Sequence, residues 1–450
     1  MFPTLSRPVP CPPERRPLAG LFLAATLVFG MSTGALYASE RVEVSDPAGL
    51  AAALQSATGG ETIALAPGDY GALNLNGTSG KQGRFSAPVT LVSTRPQEAR
   101  FSSIRLSAVS NLAFDAITLK GPLRALSSQG IAITRSRVQN TEGLSLSFRA
   151  TEGVRIEDNH ITGGDYGVNF YSVNDFRITG NLIEKAASDL IQISRASYNG
   201  LIENNVLNDV IVTNPKAHPD LIQIFGYDGL NPHDITIRGN YLYDDPATGL
   251  NIAQGIFMAG PQAEGFRNML VEENLVSVRS PNSIFISGGE ENVVIRNNSL
   301  IAGPEGLKGG VIRLKDSTAQ GFDNAGITVE NNIASRISDE TGNSHVGDNF
   351  VYGAWNNSPF HGNGSVWHDF LLQDPDLAPG MGALKRLQEL ADAGNPVTIT
   401  ENDADMLLFE EEDTPSPPVS PSAPAEHHAP SPVLLTADEI ALLPPEGLYV

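Results

Sequence analysis

The chain has 450 residues, enough for one large buried core or for two or three domains. Its 51 Asp and Glu against 29 Lys and Arg give a net charge of −22, and no basic cluster rises above that background, which excludes nucleic acid and anionic membrane surfaces as partners. A hydrophobic fraction of 41% is too high for a disordered chain.

In chain order, Arg15 and Arg16 precede an apolar run from Leu18 to Phe29, followed by small residues ending in Ala35-Leu36-Tyr37-Ala38. A positive start, a short apolar stretch and a small-residue exit predict a signal peptide over 1–38. The apolar run is shorter than the ~20 residues that span a bilayer. The mature chain is therefore expected to be secreted or periplasmic, a monomer, with no membrane span. Cys11 is the single cysteine and leaves with the signal, so no disulfide, thiol nucleophile or zinc–thiolate site is expected.

Ser45 to Gln55 reads as a short helix, and Gly59-Gly60-Glu61-Thr62-Ile63-Ala64-Leu65 as a turn and first strand. A helix there would cover the open end of a stack of strands. From residue 150 one phrase recurs: alternating apolar and polar residues, two polar residues ending in Asn, then apolar again. Val154 to Asn159, Phe176 to Asn181, Leu201 to Asn205 and Ile235 to Asn240 are copies, and further copies end at Asn274, Asn298 and Asn332. The copies lie 22 to 35 residues apart, the length of one solenoid coil with or without an insertion. Period-2 alternation means strands, and stacked Asn residues at a bend can bond the backbone of neighbouring coils. His368 to Gly380 and a helix near 381–393 are expected to close the far end. Residues 381–413 form that cap and an acidic segment. Residues 414–450 are Pro-rich and without Lys or Arg, a composition that cannot build a core.

The opening helix, the Gly59 to Tyr70 turn and strand, and the phrases Ile202-Glu203-Asn204-Asn205 and Ile295-Arg296-Asn297-Asn298 resemble the pectate-lyase-like superfamily. That superfamily includes alginate and chondroitin lyases and mannuronan epimerases. The resemblance covers residues 41–380 and implies an all-β fold, a right-handed parallel β-helix solenoid with an N-terminal capping helix, over 39–380. It also implies an enzyme that acts on an acidic polysaccharide.

Aligning the strand before each Asn phrase puts Glu142, Tyr166, Asp189, Asp220, Gln254 and Asn282 in one column, and Ser145, Asn169, Gln192, Gln223, Phe257, Phe285 and Arg313 in another. Neighbouring coils sit ~4.8 Å apart. Two carboxylates at that distance repel unless a cation or a proton lies between them. Asp189 and Asp220 are therefore the most informative pair, and Lys216-Ala217-His218-Pro219-Asp220 is the expected centre of the site.

Three chemistries fit. A lyase or C5-epimerase must neutralise a uronate carboxylate and remove the C5 proton. Ca²⁺ on Asp189 and Asp220, His218 as base and Tyr166 as proton donor would do this, with Lys216 as alternative base or neutraliser. A glycoside hydrolase would use Asp189 and Asp220 as its two carboxyls. A non-catalytic carbohydrate-binding β-helix would use the columns as a ladder only. A polysaccharide lyase is the preferred reading. Gln192, Gln223, Asn169, Gln254, Tyr171 and Phe225 are the expected substrate contacts, and Arg313 and Lys315 outlying ones. Asn231-Pro232-His233-Asp234 resembles the Asp-Pro-His-Glu signature of mannuronan epimerases, with Asn in place of the first Asp.

Overall fold

The computed structural model describes residues 41–393, apart from 80–82, 213–216, 245–251, 262–264, 289, 303–308 and 316–325. The expected signal peptide, Pro-rich tail and acidic stretch past 393 lie outside the described residues, as does Lys216.

Short strands, each parallel to its counterpart one coil away, wind into three faces. In one coil, Tyr166–Thr179 bends to supply the first and second faces and Leu182–Ala186 supplies the third. The next coil repeats this with Ile191–Ser194, Tyr198–Glu203 and Val206–Val210. The register follows the apolar alternation, pairing Val168 with Ile191, Ile178 with Ile202 and Ile183 with Leu207. The inward residues form one continuous core, in which Phe148, Phe170 and Phe176 pack edge to face at 5.5 and 5.0 Å.

The corner between the second and third faces explains the recurring Asn. The residue before it turns the chain in the left-handed region: Asp158 at φ 56°, Asn204 at 57° and Gly239 at 63°. Asp, Asn and Gly tolerate that conformation best. The Asn itself points inward. The Asn159 amide donates to Asn181 Oδ1 (3.0 Å) and to the Ile133 carbonyl (2.9 Å), and its backbone N–H donates to the same Oδ1 (3.0 Å). The pattern continues through Asn181, Asn205, Asn240, Asn274, Asn298 and Asn332. It extends beyond the sequence repeat, to Ser136 upstream and Asn349 downstream.

The expected opening helix forms at Pro47–Ser56, capped by Asp46, whose carboxylate accepts from the Gly49 N–H at 2.8 Å. Leu50 and Leu54 join the end of the core. The expected closing helix forms at Leu384–Asp392 but does not sit over the last coil. It runs back along the outside of the third face, where Leu387 and Leu390 share a second core with Leu182, Val206, Tyr241, Leu275 and Ile333. Two hydrogen bonds fix its approach: Gly382 N–H to the Asn331 carbonyl (2.8 Å) and Ala383 N–H to Ser299 Oγ (3.0 Å). Ser277 Oγ and Tyr241 Oη tie the preceding loop down through the carbonyls of Asn363 and Gly364.

Candidate active site

The expected acidic pair meets on the first face. The core takes two consecutive residues there, Leu190-Ile191 in one coil and Leu221-Ile222 in the next. That bend brings Gln192 to the same side as Asp189, and Gln192 Nε2 donates to Asp189 Oδ2 at 2.8 Å. The Asp220 backbone N–H donates to Asp189 Oδ1 at 2.9 Å, joining the coils. Asp189 is 2% exposed and Asp220 0%.

Amide donors converge on the two carboxyls from both directions. Upstream, Asn169 Nδ2 donates to Gln192 Oε1 (2.7 Å), and Gln192 Nε2 also reaches Gln223 Oε1 (2.8 Å). Downstream, Asn282 donates to Gln254 Oε1, and Gln254 Nε2 donates to Asp220 Oδ1 at 2.8 Å. Gly255 allows this approach, since a Cβ there would fall 2.1 Å from the Ser283 carbonyl.

His218 completes the group. Its Nδ1 lies 3.4 Å from Asp220 Oδ2, and its Nε2 lies 2.6 Å from Gln254 Nε2. With the Gln254 oxygen held by Asn282, His218 Nε2 accepts and Nδ1 carries the proton that faces Asp220. The His218 side chain is 34% exposed and packs its edge on Phe257 at 4.7 Å, so of the three ionisable groups it is the one that reaches solvent.

Burial sets the protonation. Removal from water lifts Asp220 from its ordinary 3.8 to about 6, opposed by hydrogen bonding to His218. Burial and then the Asp220 charge push Asp189 up well beyond the usual carboxylate range. The hydrogen bond to Asp220 raises His218. Asp220 and His218 are thus both shifted upward, and His218, the one that reaches solvent, is placed to take up and return a proton.

The first face outside this network has a charge pattern opposite to that of the whole chain. Register places Arg105, Arg124, Ser147, Asn169, Gln192, Gln223, Phe257, Phe285 and Arg313 in one outward column. Two residues on, Arg149, Tyr171, Ser194, Phe225, Ala259, Ser287 and Lys315 form the next. Neither column contains a carboxylate over this span. The Arg149 and Arg195 guanidiniums lie 4.0 and 5.3 Å from the Tyr171 ring centre.

Residues 104–252 match the family model described as a right handed beta helix region. The chain is a right-handed parallel β-helix protein. No curated protein matches it. Among solved structures it is similar to the Dettilon tailspike protein, at 13% identity over 68% of this chain and 64% of the tailspike, with a TM-score of 0.49. It is also similar to an alginate lyase from Paenibacillus (15% identity, 69% and 99% covered, TM-score 0.39). A third likeness is to PfbA, a surface adhesin of Streptococcus pneumoniae (11%, 63% and 82%, 0.42). The β-helix thus spans less than two thirds of the tailspike's length.

The β-helix brings His218, Asp189, Asp220, Gln192, Gln223, Asn169 and Gln254 together. It gives several of them other surroundings than expected. Asn169, Gln192 and Gln254 are buried and spend their amides on one another and on the carboxyls. Tyr166 opens the strand one coil above Asp189, half-buried. Tyr171 and Phe225 are half-buried on the outer face, at the far end of the strand from the carboxyls. Arg313 lies three coils, ~14 Å, below Gln223 and pairs with Glu340 at 3.1 Å, and Lys315 is exposed beside it. His233 is on the second face, stacked on Tyr198 at 4.9 Å and bonded to Asp234, apart from the acidic pair. The strand alignment puts Asn282 last in the first column without a role; it donates to Gln254 Oε1 and so fixes that amide. Glu142 and Ser145 fall out of the columns, because Leu144 pairs with Tyr166 and Ser147 with Asn169.

The expected calcium does not fit the described residues. Calcium takes six to eight oxygens. Both Asp189 oxygens accept from protein donors, as does Asp220 Oδ1, while Asp220 Oδ2 faces an imidazole nitrogen. Among the described residues no group of three or more carboxylate or imidazole side chains is arranged to hold a metal ion.

Proposed function

We propose that the β-helix binds a uronate-containing polysaccharide along its first face and cleaves it by β-elimination. The observation that carries this reading is the pair of outward columns that hold Arg105, Arg124, Arg149 and Lys315 and no carboxylate of their own, on a chain of net charge −22, with Arg313 in the same column paired to Glu340. A local cationic stripe is what an acidic protein needs to hold an acidic polymer. His218, backed by Asp220, is the group that exchanges a proton with the sugar. Substrate would displace the Gln254 amide from Nε2, which then takes the C5 proton; the C5–H electrons form the C4–C5 double bond as the C4–O bond breaks, and the His218 imidazolium returns the proton to the departing oxygen. Asp189 and Asp220 tune and orient His218 and do not touch the glycan. A hydrolase reading is disfavoured, because its two carboxyls must flank the sugar about 5–9.5 Å apart, whereas these are enclosed and bonded to one another's coil.

The test is ultraviolet absorbance of unsaturated uronic ends released from alginate, pectate, hyaluronan and chondroitin, each with Ca²⁺ and with EDTA. A rise on one polymer is expected, lost in His218→Ala and strongly reduced in Asp220→Asn, and unaltered by EDTA. A flat trace on all four overturns the proposal. Deuterium uptake at C5 without absorbance would assign a C5-epimerase, which shares the proton-removal step.

A further inference from the structure

A groove of about 500 Å³ runs along the corner between the first and second faces, away from the carboxyl pair. Its floor is Ser127, Ala150 and Ser172, one from each of three stacked coils. All three turn the chain in the left-handed region, at φ 49°, 47° and 55°. In the next coil the equivalent turn is made by Arg195 at φ 60°. The corner geometry therefore accepts a long side chain, and the small floor residues are not forced by the turn. Arg195 is bonded to Asp228 at 2.9 Å.

One wall is a register column: Gln129, Glu152, Asn174 and Tyr198. Tyr198 is held by parallel stacking on His233, with 3° between the rings. Two of the lining residues have a buried polar atom with no hydrogen-bond partner among the described residues, Ser172 Oγ and Asn174 Oδ1. They come from a single coil, two residues apart. Each carries an unmet desolvation cost unless a ligand or water bonds it. Glu152 is the one charged residue among those lining the groove.

We infer that this groove is a second carbohydrate site, one that takes an uncharged saccharide segment. A sugar presents hydroxyls that each donate and accept, which matches the uncharged polar lining of Ser127, Ser128, Gln129, Thr151 and Asn174, and its ring can lie against Tyr198. Glu152 strengthens such hydroxyl contacts and repels a uronate, so the ligand differs from that of the cationic first face. Four coils at ~4.8 Å spacing give a run of ~14 Å, the length of about three sugar units. The inference does not depend on the elimination chemistry.

The test is isothermal titration of the full chain with mannohexaose, cellohexaose, maltohexaose and an oligogalacturonate. Saturable binding of at least one neutral hexasaccharide is expected. Ala196→Trp, which fills the groove beside Tyr198, should abolish it and leave uronate-glycan turnover unchanged. Asn174→Ala, a milder change that keeps the fold, should weaken it about 3- to 10-fold, the effect of one neutral hydrogen bond. The inference is overturned if no neutral probe binds, if both variants bind like the wild type, or if oligogalacturonate binding shows the same sensitivity to the two variants.

Discussion

Replacing Asp220 by Asn should flatten the dependence of stability on pH. Burial lifts Asp220 from 3.8 to about 6. Between those values the folded chain holds a proton that the unfolded chain has released, so stability falls as pH rises through the window. At ~1.36 kcal/mol per unit, the interval corresponds to roughly 3 kcal/mol. Asp189 is raised for the same reason and acts in the same direction. His218 is raised too, chiefly by Asp220, so its contribution is complete below its ordinary value and is lost as pH climbs through the raised one. All three effects favour low pH. Asp220→Asn removes the first and the main cause of the third. Urea unfolding of wild type and variant should be followed from about pH 4 to pH 8, because the difference between the two curves cancels the many surface carboxylates. Wild-type stability relative to the variant should drop by roughly 3 kcal/mol across that range. A difference that stays constant, or that rises with pH, would refute the claim that Asp220 is held protonated by burial.

Asn240→Ala should cost about 2–6 kcal/mol, since it orphans the Asn205 backbone N–H and the Ile202 carbonyl in a site with no solvent. Asn349→Ala, at the part-buried end of the same ladder, should cost visibly less, and equal losses in urea midpoint would count against the ladder. Leu387→Ala should cost about 2–4 kcal/mol by opening the second core. It should also expose the segment after residue 360 to limited proteolysis before the coils unfold, and simultaneous loss of both would mean that the flank and the coils are one cooperative unit.

The coils were legible because one corner imposes a side-chain requirement on every turn. A left-handed residue followed by an inward amide leaves an Asp/Asn/Gly-Asn signature that any reader of the sequence meets repeatedly. The ends of the ladder were not legible, since Ser136 substitutes a hydroxyl for the amide and Asn349 follows a coil of only 17 residues. The flanking helix was placed over the wrong surface, although the signal was present. The residue after each ladder Asn faces outward, and Leu182, Val206, Tyr241, Leu275 and Ile333 make that column apolar. Apolar residues at both adjacent positions, as in Leu182-Ile183, mean a strand covered on its outside as well. At the site, adjacency was readable from strand alignment. Burial was not, because it depends on Leu190-Ile191 and Leu221-Ile222 both turning inward, which breaks the alternation that the alignment assumes.

That break in alternation is also what makes the site chemically useful. Regular alternation would leave Asp189 and Asp220 on the water-facing side, ionised and unremarkable in strength. The bend draws them in, and the cost of enclosing two carboxyls is offset only in part by N–H donors from three coils, so both stay shifted upward. Those donors stay in place only if the coils keep register. Asn205, Asn240 and Asn274 run without interruption through the coils that carry Asp189, Asp220 and Gln254. The 35-residue separation between Asn205 and Asn240 therefore adds chain on both sides of the strand Asp220–Phe225, before His218 and again ahead of His233, while the opposite corner holds its spacing. The ladder confines the added length to these connections, which can vary without moving the carboxyl pair between them.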